Sequence, residues 1–470
     1  MNKHEKIREE LAKIVGPEYV SDDEEVLYYY SYDPSLEPPR RPSFVVMPKS
    51  TEEVQKIVTL ANREKIPITP RVGGMSLSGL AIPCEGGIVI DLKRMNRIIE
   101  VNRESMYAVV EAGVTTGQLK TYLEENFPDL EYPLPHAPPS VGVISNMVIW
   151  GGGHTSLKYG FSQDLINGLE VVLPTGEVVR VGSCAVTSSW ITRAFLPELT
   201  GLFIGWFGAT GIITKAGIQL WPKPEVRGVL TLAADKIEDV ISLIMRIAKM
   251  GLADDIDVTS WTGSSRERYQ MREKPPGVPE FYMDIFMSGM TKEEYDFKVN
   301  SVDKIVKDEK SKGSTIRYFE PPDIVKDVLL WLPQPLGFMD LREGGGVEYL
   351  GCCVPIERIK EAWNNGIEIA KKHDLQYLQL IRLFRGGHIC LIMYTFPYNK
   401  KDPDEMKRVH DTLVEICEMV LNLGGLPWKP SPSLQKIVLK HADPAFLNLI
   451  KKIKALLDPN NIMNPHMWTP

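Results

Sequence analysis

The chain has 470 residues, 43% hydrophobic and 24% charged, enough for two or three folded units with a sizeable buried core. Its 54 Lys and Arg against 61 Asp and Glu leave a net charge of -7, which argues against binding nucleic acid by phosphate neutralisation. No apolar run is long enough to span a bilayer, and the charged start Met1-Asn2-Lys3-His4-Glu5-Lys6 is unlike a secretion signal, so a cytoplasmic location is expected. None of Cys84, Cys184, Cys352, Cys353, Cys390 and Cys417 forms a CxxC pair, so neither an iron–sulfur cluster nor a structural zinc is expected.

In chain order, Ser43–Met47 reads as a strand, and Ser50 with Glu53 reads as a capping box opening a helix. Val54, Ile57, Val58 and Ala61 give that helix one apolar face. Ile66–Thr69 is the next strand and runs into the glycine-rich turn Pro70-Arg71-Val72-Gly73-Gly74-Met75-Ser76. Strands follow at Gly87–Leu92, Ile98–Asn102 and Tyr107–Ala112, then a helix over Gly117–Asn126 with Thr116 as N-cap. Leu169–Leu173 and Val178–Val181 flank Pro174-Thr175-Gly176-Glu177, a hairpin signal, and Gly211–Leu220 reads as a glycine-led strand pair. Beyond Trp221-Pro222-Lys223-Pro224 the chain turns more helical, with helical periodicity at Ile237–Lys249, Ile356–Lys372, Glu405–Leu423 and Ala445–Leu457 and strands at Tyr349–Val354 and His388–Phe396. No internal repeat is visible.

Neither GxxxxGK[ST] nor a GxGxxG between a strand and a helix occurs, so P-loop and Rossmann sites have no support. Glycine still clusters at Gly73-Gly74, Gly142, Gly151-Gly152-Gly153 and Gly205/Gly208/Gly211. Successive N–H groups in such turns make nests for anions, a diphosphate among them.

The series Pro70–Ser76, Gly87–Leu92, Val110-Glu111-Ala112-Gly113-Val114, Ser140-Val141-Gly142, Lys158-Tyr159-Gly160, Gly168–Gly176 and Gly208-Ala209-Thr210-Gly211-Ile212-Ile213-Thr214 resembles the flavoprotein family of vanillyl-alcohol oxidase and p-cresol methylhydroxylase. Within that family it is most similar to the glycolate-oxidase and D-lactate-dehydrogenase members. The closing Asp458-Pro459-Asn460-Asn461-Ile462-Met463-Asn464-Pro465 is typical of the same family. The resemblance implies an α+β protein. A two-subdomain FAD-binding domain spans 1–224, a cap domain with an antiparallel sheet spans 225–425, and a segment over 426–470 returns to the FAD domain. It implies FAD as the cofactor. Pro70, Arg71, Val72, Gly73, Gly74, Met75 and Ser76, with Ser140, Val141 and Gly142, would wrap the pyrophosphate. Asn146, Gly152, Gly153 and His154 would line the flavin side, Gly208, Gly211 and Ile213 the adenosine side, and Asn464 would approach from the tail.

Three departures from the family pattern shape the functional expectation. Met75 stands where some relatives carry an FAD-attaching histidine, and Gly344–Tyr349 offers no histidine in its place, so FAD is expected to be non-covalent. Gly424-Gly425-Leu426-Pro427-Trp428-Lys429-Pro430 lacks the Gly-Glu-His-Gly of glycolate and D-lactate enzymes, and Arg385–Cys390 lacks their preceding histidine run, so no metal site is expected. The order of cap segments is closer to the phenol-oxidising branch, whose Tyr-Arg pair is replaced by Trp428-Lys429, with Lys429 expected to keep a positive charge.

The catalytic candidates are His136 as base, His388 and Tyr394 on one face of a cap strand, Arg382 as carboxylate binder (Arg385 being its alternative), and Trp428 with Lys429. The expected activity is FAD-dependent oxidation of a small alcohol-type substrate such as a 2-hydroxy acid. A para-substituted phenol or aromatic alcohol is the alternative. A flavin-binding electron-transfer subunit of a larger redox complex, or a non-redox use of FAD, is the reading of another class. Expected partners are a small-molecule substrate and an electron-acceptor protein, with no nucleic acid and with homo- or hetero-oligomers left open.

Overall fold

The computed structural model describes residues 2–321, 329–330 and 341–469. The first sheet has the order β1-β2-β4-β3, with β1 Val20–Ser21, β2 Phe44–Val46, β3 Ile68–Arg71 and β4 Ile88–Asp91. β2 and β3 both run parallel to β4, and the helix Thr51–Glu64 supplies the crossover. Ser50 caps that helix by accepting from Glu53 N–H at 3.3 Å. The expected reciprocal bond is absent, because the Glu53 carboxylate accepts from Lys49 N–H at 2.8 Å instead. The tail closes this sheet: Ile68 N–H donates to Ile462, Asn464 N–H donates to the Ile68 carbonyl, and Ile462 and Met463 join the core of Val54, Ile57, Ile88 and Ile90.

A second, antiparallel sheet runs β5-β6-β10-β8-β9, from β5 Ile98–Asn102, β6 Tyr107–Glu111, β8 Ile166–Val172, β9 Val178–Gly182 and β10 Ile212–Gln219. The expected strand pair near Gly211–Leu220 is one eight-residue strand, β10, which pairs with β6 on one side and β8 on the other. The helix Thr116–Asn126 starts one residue earlier than read, with Thr115 and Gln118 forming its capping box. The short β7 (Leu130–Glu131) and β11 (Trp221–Pro222) pair at the exit from this half.

The rest of the chain builds an eight-stranded antiparallel sheet of order β15-β12-β14-β13-β17-β18-β16-β19. Its strands are β12 Val226–Ala234, β13 Asp255–Ser260, β14 Phe281–Gly289, β15 Arg317–Tyr318, β16 Gly345–Val354, β17 Leu378–Phe384, β18 Ile389–Asn399 and β19 Leu426–Trp428. Long helices follow the first and third strands of each quartet: Ile237–Lys249 and Lys292–Ser311, then Ile359–Lys372 and Pro403–Asn422. The sheet is therefore two β-α-β-β-α-β units joined edge to edge at β13 and β17. This repeat lies in topology, and the sequence carries no trace of it.

The helices cover one face of the large sheet, burying Leu350, Cys352, Cys390, Ile392, Tyr394 and Phe396 with Trp363, Val409 and Ile416. Tyr349, Leu391, Met393, Phe384 and Trp428 form a separate cluster on the opposite face, against Phe161 of the first half. Phe161 and Phe384 stack at 4.1 Å, Arg385 pairs with Asp164 at 2.6 Å, and the Trp428 indole N–H donates to the Trp150 carbonyl at 2.8 Å. These contacts seat the sheet over the first half and roof a cleft between them.

Candidate active site

The cleft encloses about 1650 Å³ of empty space, open solvent at its mouth included. Its floor is the turn Pro70–Leu77, which leaves β3 and bends through left-handed residues at Gly74 (φ 64°) and Leu77 (φ 55°). None of the N–H groups of Gly73, Gly74, Met75, Ser76 and Leu77 donates to another group among the described residues. Five successive free donors facing a cleft make an anion nest. The turn is braced from behind. Arg71 donates to the Tyr30 and Tyr32 carbonyls at 3.3 and 3.4 Å and lies 4.9 Å from the Tyr30 ring centroid, while Ser76 donates to Asp33. Within the Tyr28–Tyr32 run it is thus the backbone and the buried Tyr30 ring that brace the turn, while Tyr28, Tyr29 and Tyr32 are exposed.

Val141, Gly142, Asn146 and Gly152 line one side, and Gly208, Gly211 and Ile213 the other. Gly208 has φ 77°, and a Cβ there would lie 2.7 Å from the Pro70 ring, so this position tolerates only glycine next to the turn. The Asn146 Oδ1 is buried with no hydrogen-bond partner among the described residues, a polar atom left for a ligand. Ser140 is exposed and does not line the cleft. Asn464 lies beneath it, donating to the Phe207 carbonyl at 2.6 Å and accepting from Thr69.

The roof brings Arg382, Trp428, Lys429, Tyr349, Phe384, Leu391 and Met393 to one wall, where they meet His136 of the first half. Arg382, on β17, donates to His136 Nδ1 at 3.2 Å and pairs with Asp255 on β13. Burial pulls the Arg382 guanidinium down, but Asp255 and Asp257 outweigh it, so the group is held above its usual range and stays charged. Burial pushes Asp255 up to about 7; Arg382 opposes that rise and Asp257 adds to it. Lys429 follows β19 in a left-handed conformation, φ 55°, and no carboxylate pairs with it among the described residues. Burial lowers its pKa from 10.5 to about 7. The Trp428 ring, 3.8 Å from Nζ, favours the cation and opposes part of that fall. Near neutrality Lys429 is therefore divided between amine and ammonium, which corrects the expectation of a fixed positive charge.

Two candidates lie elsewhere. Tyr394 faces the helices: its hydroxyl donates to the Ala362 carbonyl at 3.0 Å, and its ring packs where only Gly366 leaves room, a Cβ there falling 2.3 Å from the ring. Tyr394 is thus a core residue, and the cleft receives the other face of β18, Leu391 and Met393. His388 is exposed at the corner Arg385–Gly387 between β17 and β18, beside the helix Ile237–Lys249, and does not line the cleft. His154 and Gly153 lie behind the wall. Gly153 packs on the Leu134 carbonyl, and His154 lies 3.8 Å from Asp255 with its ring centroid 4.9 Å from that of His136. Arg385 is committed to Asp164. Sequence reading missed Asp255, although Asp255-Ile256-Asp257-Val258 alternates acid and apolar residues as a two-faced strand does.

Residues 42–182 match the FAD binding domain, and residues 332–467 match the FAD linked oxidases, C-terminal domain. The chain belongs to the FAD-linked oxidases. It is 26% identical to the glycolate oxidase subunit GlcD of Bacillus subtilis, spanning 98% of this chain and 96% of that one. It is 28% identical to a D-lactate dehydrogenase of Archaeoglobus fulgidus (97% and 98%) and 27% identical to the 4-cresol dehydrogenase flavoprotein subunit of Pseudomonas putida (95% and 91%). The crystal structure of p-cresol methylhydroxylase with substrate bound superposes with a TM-score of 0.87 at 24% identity, covering 99% of this chain and 96% of that one. This FAD-linked oxidase is an oxidoreductase with FAD as its cofactor. The residues present fit FAD: free turn N–H groups, the unpartnered Asn146 oxygen and the close approach at Gly208 all border one cleft. Among the described residues no helix is long and apolar enough to cross a membrane.

Proposed function

We propose that this oxidase acts on a small 2-hydroxy acid of the glycolate or D-lactate kind. The observation that carries the reading is Arg382. It is charged and buried in the cleft wall, and its Nε has no hydrogen-bond partner among the described residues. A buried guanidinium with an unused donor is suited to a substrate carboxylate. FAD, when bound, supplies the hydride acceptor. Pro70–Leu77 would hold its pyrophosphate, and Asn146 and Gly152 its ring side. Arg382 orients the acid, and Lys429, part amine near pH 7, takes the hydroxyl proton. His136 receives a hydrogen bond at Nδ1 from Arg382, so as a neutral ring it carries its proton on Nε2 and donates from there. Tyr349, Phe384, Leu391, Met393 and Trp428 keep the wall apolar and exclude water.

That apolar wall favours a second reading, a para-substituted phenol, with the ammonium form of Lys429 facing a phenolate. An arginine pair would favour the acid and a Trp428–Tyr394 box the phenol. Arg382 without Arg385, and Trp428 without Tyr394, are what line the cleft. The deciding test is anaerobic bleaching of the flavin by glycolate, D-lactate, L-lactate and p-cresol. Bleaching by a hydroxy acid but not by p-cresol supports the first reading, and the converse supports the second. A flavin that no substrate bleaches points to an electron-transfer subunit.

The same reading divides the chain into a flavin-holding part (1–224), a cap (225–425) and a returning tail (426–470), working in the cytoplasm and passing electrons to an acceptor outside the chain. FAD is held without a covalent bond, because Met75 replaces an attaching histidine. After acid precipitation the yellow colour should remain in the supernatant; colour in the pellet refutes this.

A further inference from the structure

We propose that Asp255 is the positioning residue of this site, fixing the direction in which Arg382 presents its guanidinium to a substrate carboxylate. The inference rests on the hydroxy-acid reading and adds a residue to it. Arg382 has two carboxylates within reach on the neighbouring strand. In the β13–β17 register its direct cross-strand partner is Asp257, which is only half-buried. The ion pair forms instead with Asp255, two residues along the same face and fully buried. Asp255 also lies 3.8 Å from His154, whose ring neighbours that of the cleft-lining His136. Pairing with Asp255 therefore carries the Arg382 head inward, toward His136 and the cleft. One N–H of one terminal nitrogen goes to Asp255 and one N–H of the other to His136 Nδ1, which fixes the guanidinium plane at two corners and leaves each terminal nitrogen a second N–H. The Nε is buried and unpartnered among the described residues. Without Asp255 the head is free to swing to Asp257, and the preformed donor is lost while the charge stays. A carboxylate ligand should feel that loss, and an uncharged one should not.

The experiment uses the FAD-loaded protein and oxalate, a non-reducing dicarboxylate, titrated through the flavin absorbance. Arg382→Gln should weaken oxalate by about 100-fold and Asp255→Asn by about 10-fold, the range of lost charge-assisted hydrogen bonds. Asp255→Glu should recover most of the affinity. In Asp255→Asn p-cresol should perturb the flavin as in the wild type, and with glycolate or D-lactate the half-saturating concentration should rise more than the limiting reduction rate falls. Because Asp255→Asn leaves Arg382 buried without its partner, it can compromise folding. The double variant Asp255→Asn/Arg382→Gln removes both charges, and it should bind oxalate no more weakly than Arg382→Gln alone. Equal oxalate loss from Asp255→Asn with and without Arg382 overturns the positioning role. So does wild-type affinity in Asp255→Asn when Arg382→Gln is impaired. Wild-type affinity in Arg382→Gln is a different failure: it removes the carboxylate site itself, and the inference with it.

Discussion

Along the Pro70–Leu77 turn the cleft presents backbone N–H groups, held in place by a left-handed bend and by Arg71 clamped on the Tyr30 and Tyr32 carbonyls. Across from it, the large sheet presents side chains: Arg382 set by Asp255, and Lys429 set by burial against the Trp428 ring with no carboxylate paired to it among the described residues. A backbone amide neither titrates nor swings, so the floor offers one fixed site for a diphosphate at any pH. The roof is adjustable. Its two cations differ because one has a carboxylate and the other does not, and that difference leaves Arg382 charged and Lys429 near its midpoint at neutrality. Cofactor retention should therefore depend on backbone geometry in the floor, and turnover on charge in the roof.

The largest expected effect breaks the floor. Gly208→Val forces a β-branched residue to φ 77° and drives its Cβ into the Pro70 ring, 2.7 Å away. Left-handed strain of about 1–3 kcal/mol plus the clash should weaken FAD by roughly 100-fold. The large sheet should keep its fold. Isothermal titration of apo-protein with FAD checks this, with far-UV circular dichroism as the control. Unchanged FAD affinity would mean that the turn does not depend on Gly208.

Lys429→Met tests the roof. FAD content should stay near wild type, since no free turn N–H is touched, while anaerobic flavin reduction by a hydroxy acid should slow roughly 100-fold. The sign of the pH dependence separates the two substrate readings. If the amine accepts the hydroxyl proton, the wild-type limiting rate rises as pH passes upward through about 7. If the ammonium faces a phenolate, the rate falls over the same interval. The groups sharing the wall are Arg71, His136, Tyr349 and Arg382. Arg382 stays cationic, and burial holds the Tyr349 phenol well above its usual range, so neither titrates there; Asp255, pushed up to about 7 behind Arg382, does, so the part of the profile lost in Lys429→Met is the part that reports Lys429. A profile flat in the wild type, or unchanged in Lys429→Met, would remove Lys429 from the chemistry.

The floor was legible in the sequence because its chemistry is written in glycines. Gly73-Gly74, Gly142, Gly152, Gly208 and Gly211 mark places where the backbone must turn or come close, and all of them border the cleft. The roof was legible only in part. β18 is buried on both faces, so polar and apolar residues no longer sort by side. Leu391 and Met393 suit an apolar cleft wall as well as they suit a core. Tyr394, which looks like a pocket residue by composition, finds its partner in the Ala362 carbonyl across Gly366. β13, β14 and β17 went unread, and with them Asp255, because Arg382 and Asp255 lie 127 residues apart and only the β13–β17 pairing joins them.

The smallest expected effect sharpens the boundary of the roof. His388 begins the stretch His388–Phe396 that reads as a strand, and simple alternation would place it on the same face as Tyr394. In the structure the strand starts one residue later, at Ile389, and Arg385, Gly386 and Gly387 turn through three successive positive φ angles just before it. That corner packs Gly387 on Ala248 and Met245 of the helix Ile237–Lys249, leaving the imidazole in solvent. His388→Ala should therefore change unfolding stability by no more than about 0.5 kcal/mol, as surface substitutions do. It should leave the stopped-flow rate of flavin reduction at the wild-type value, although neighbouring Arg385 ties the same corner to Asp164. A slowing of about tenfold or more would mean that the corner folds inward during turnover, bringing His388 over the cleft, and the fixed outer limit of the roof would have to be abandoned.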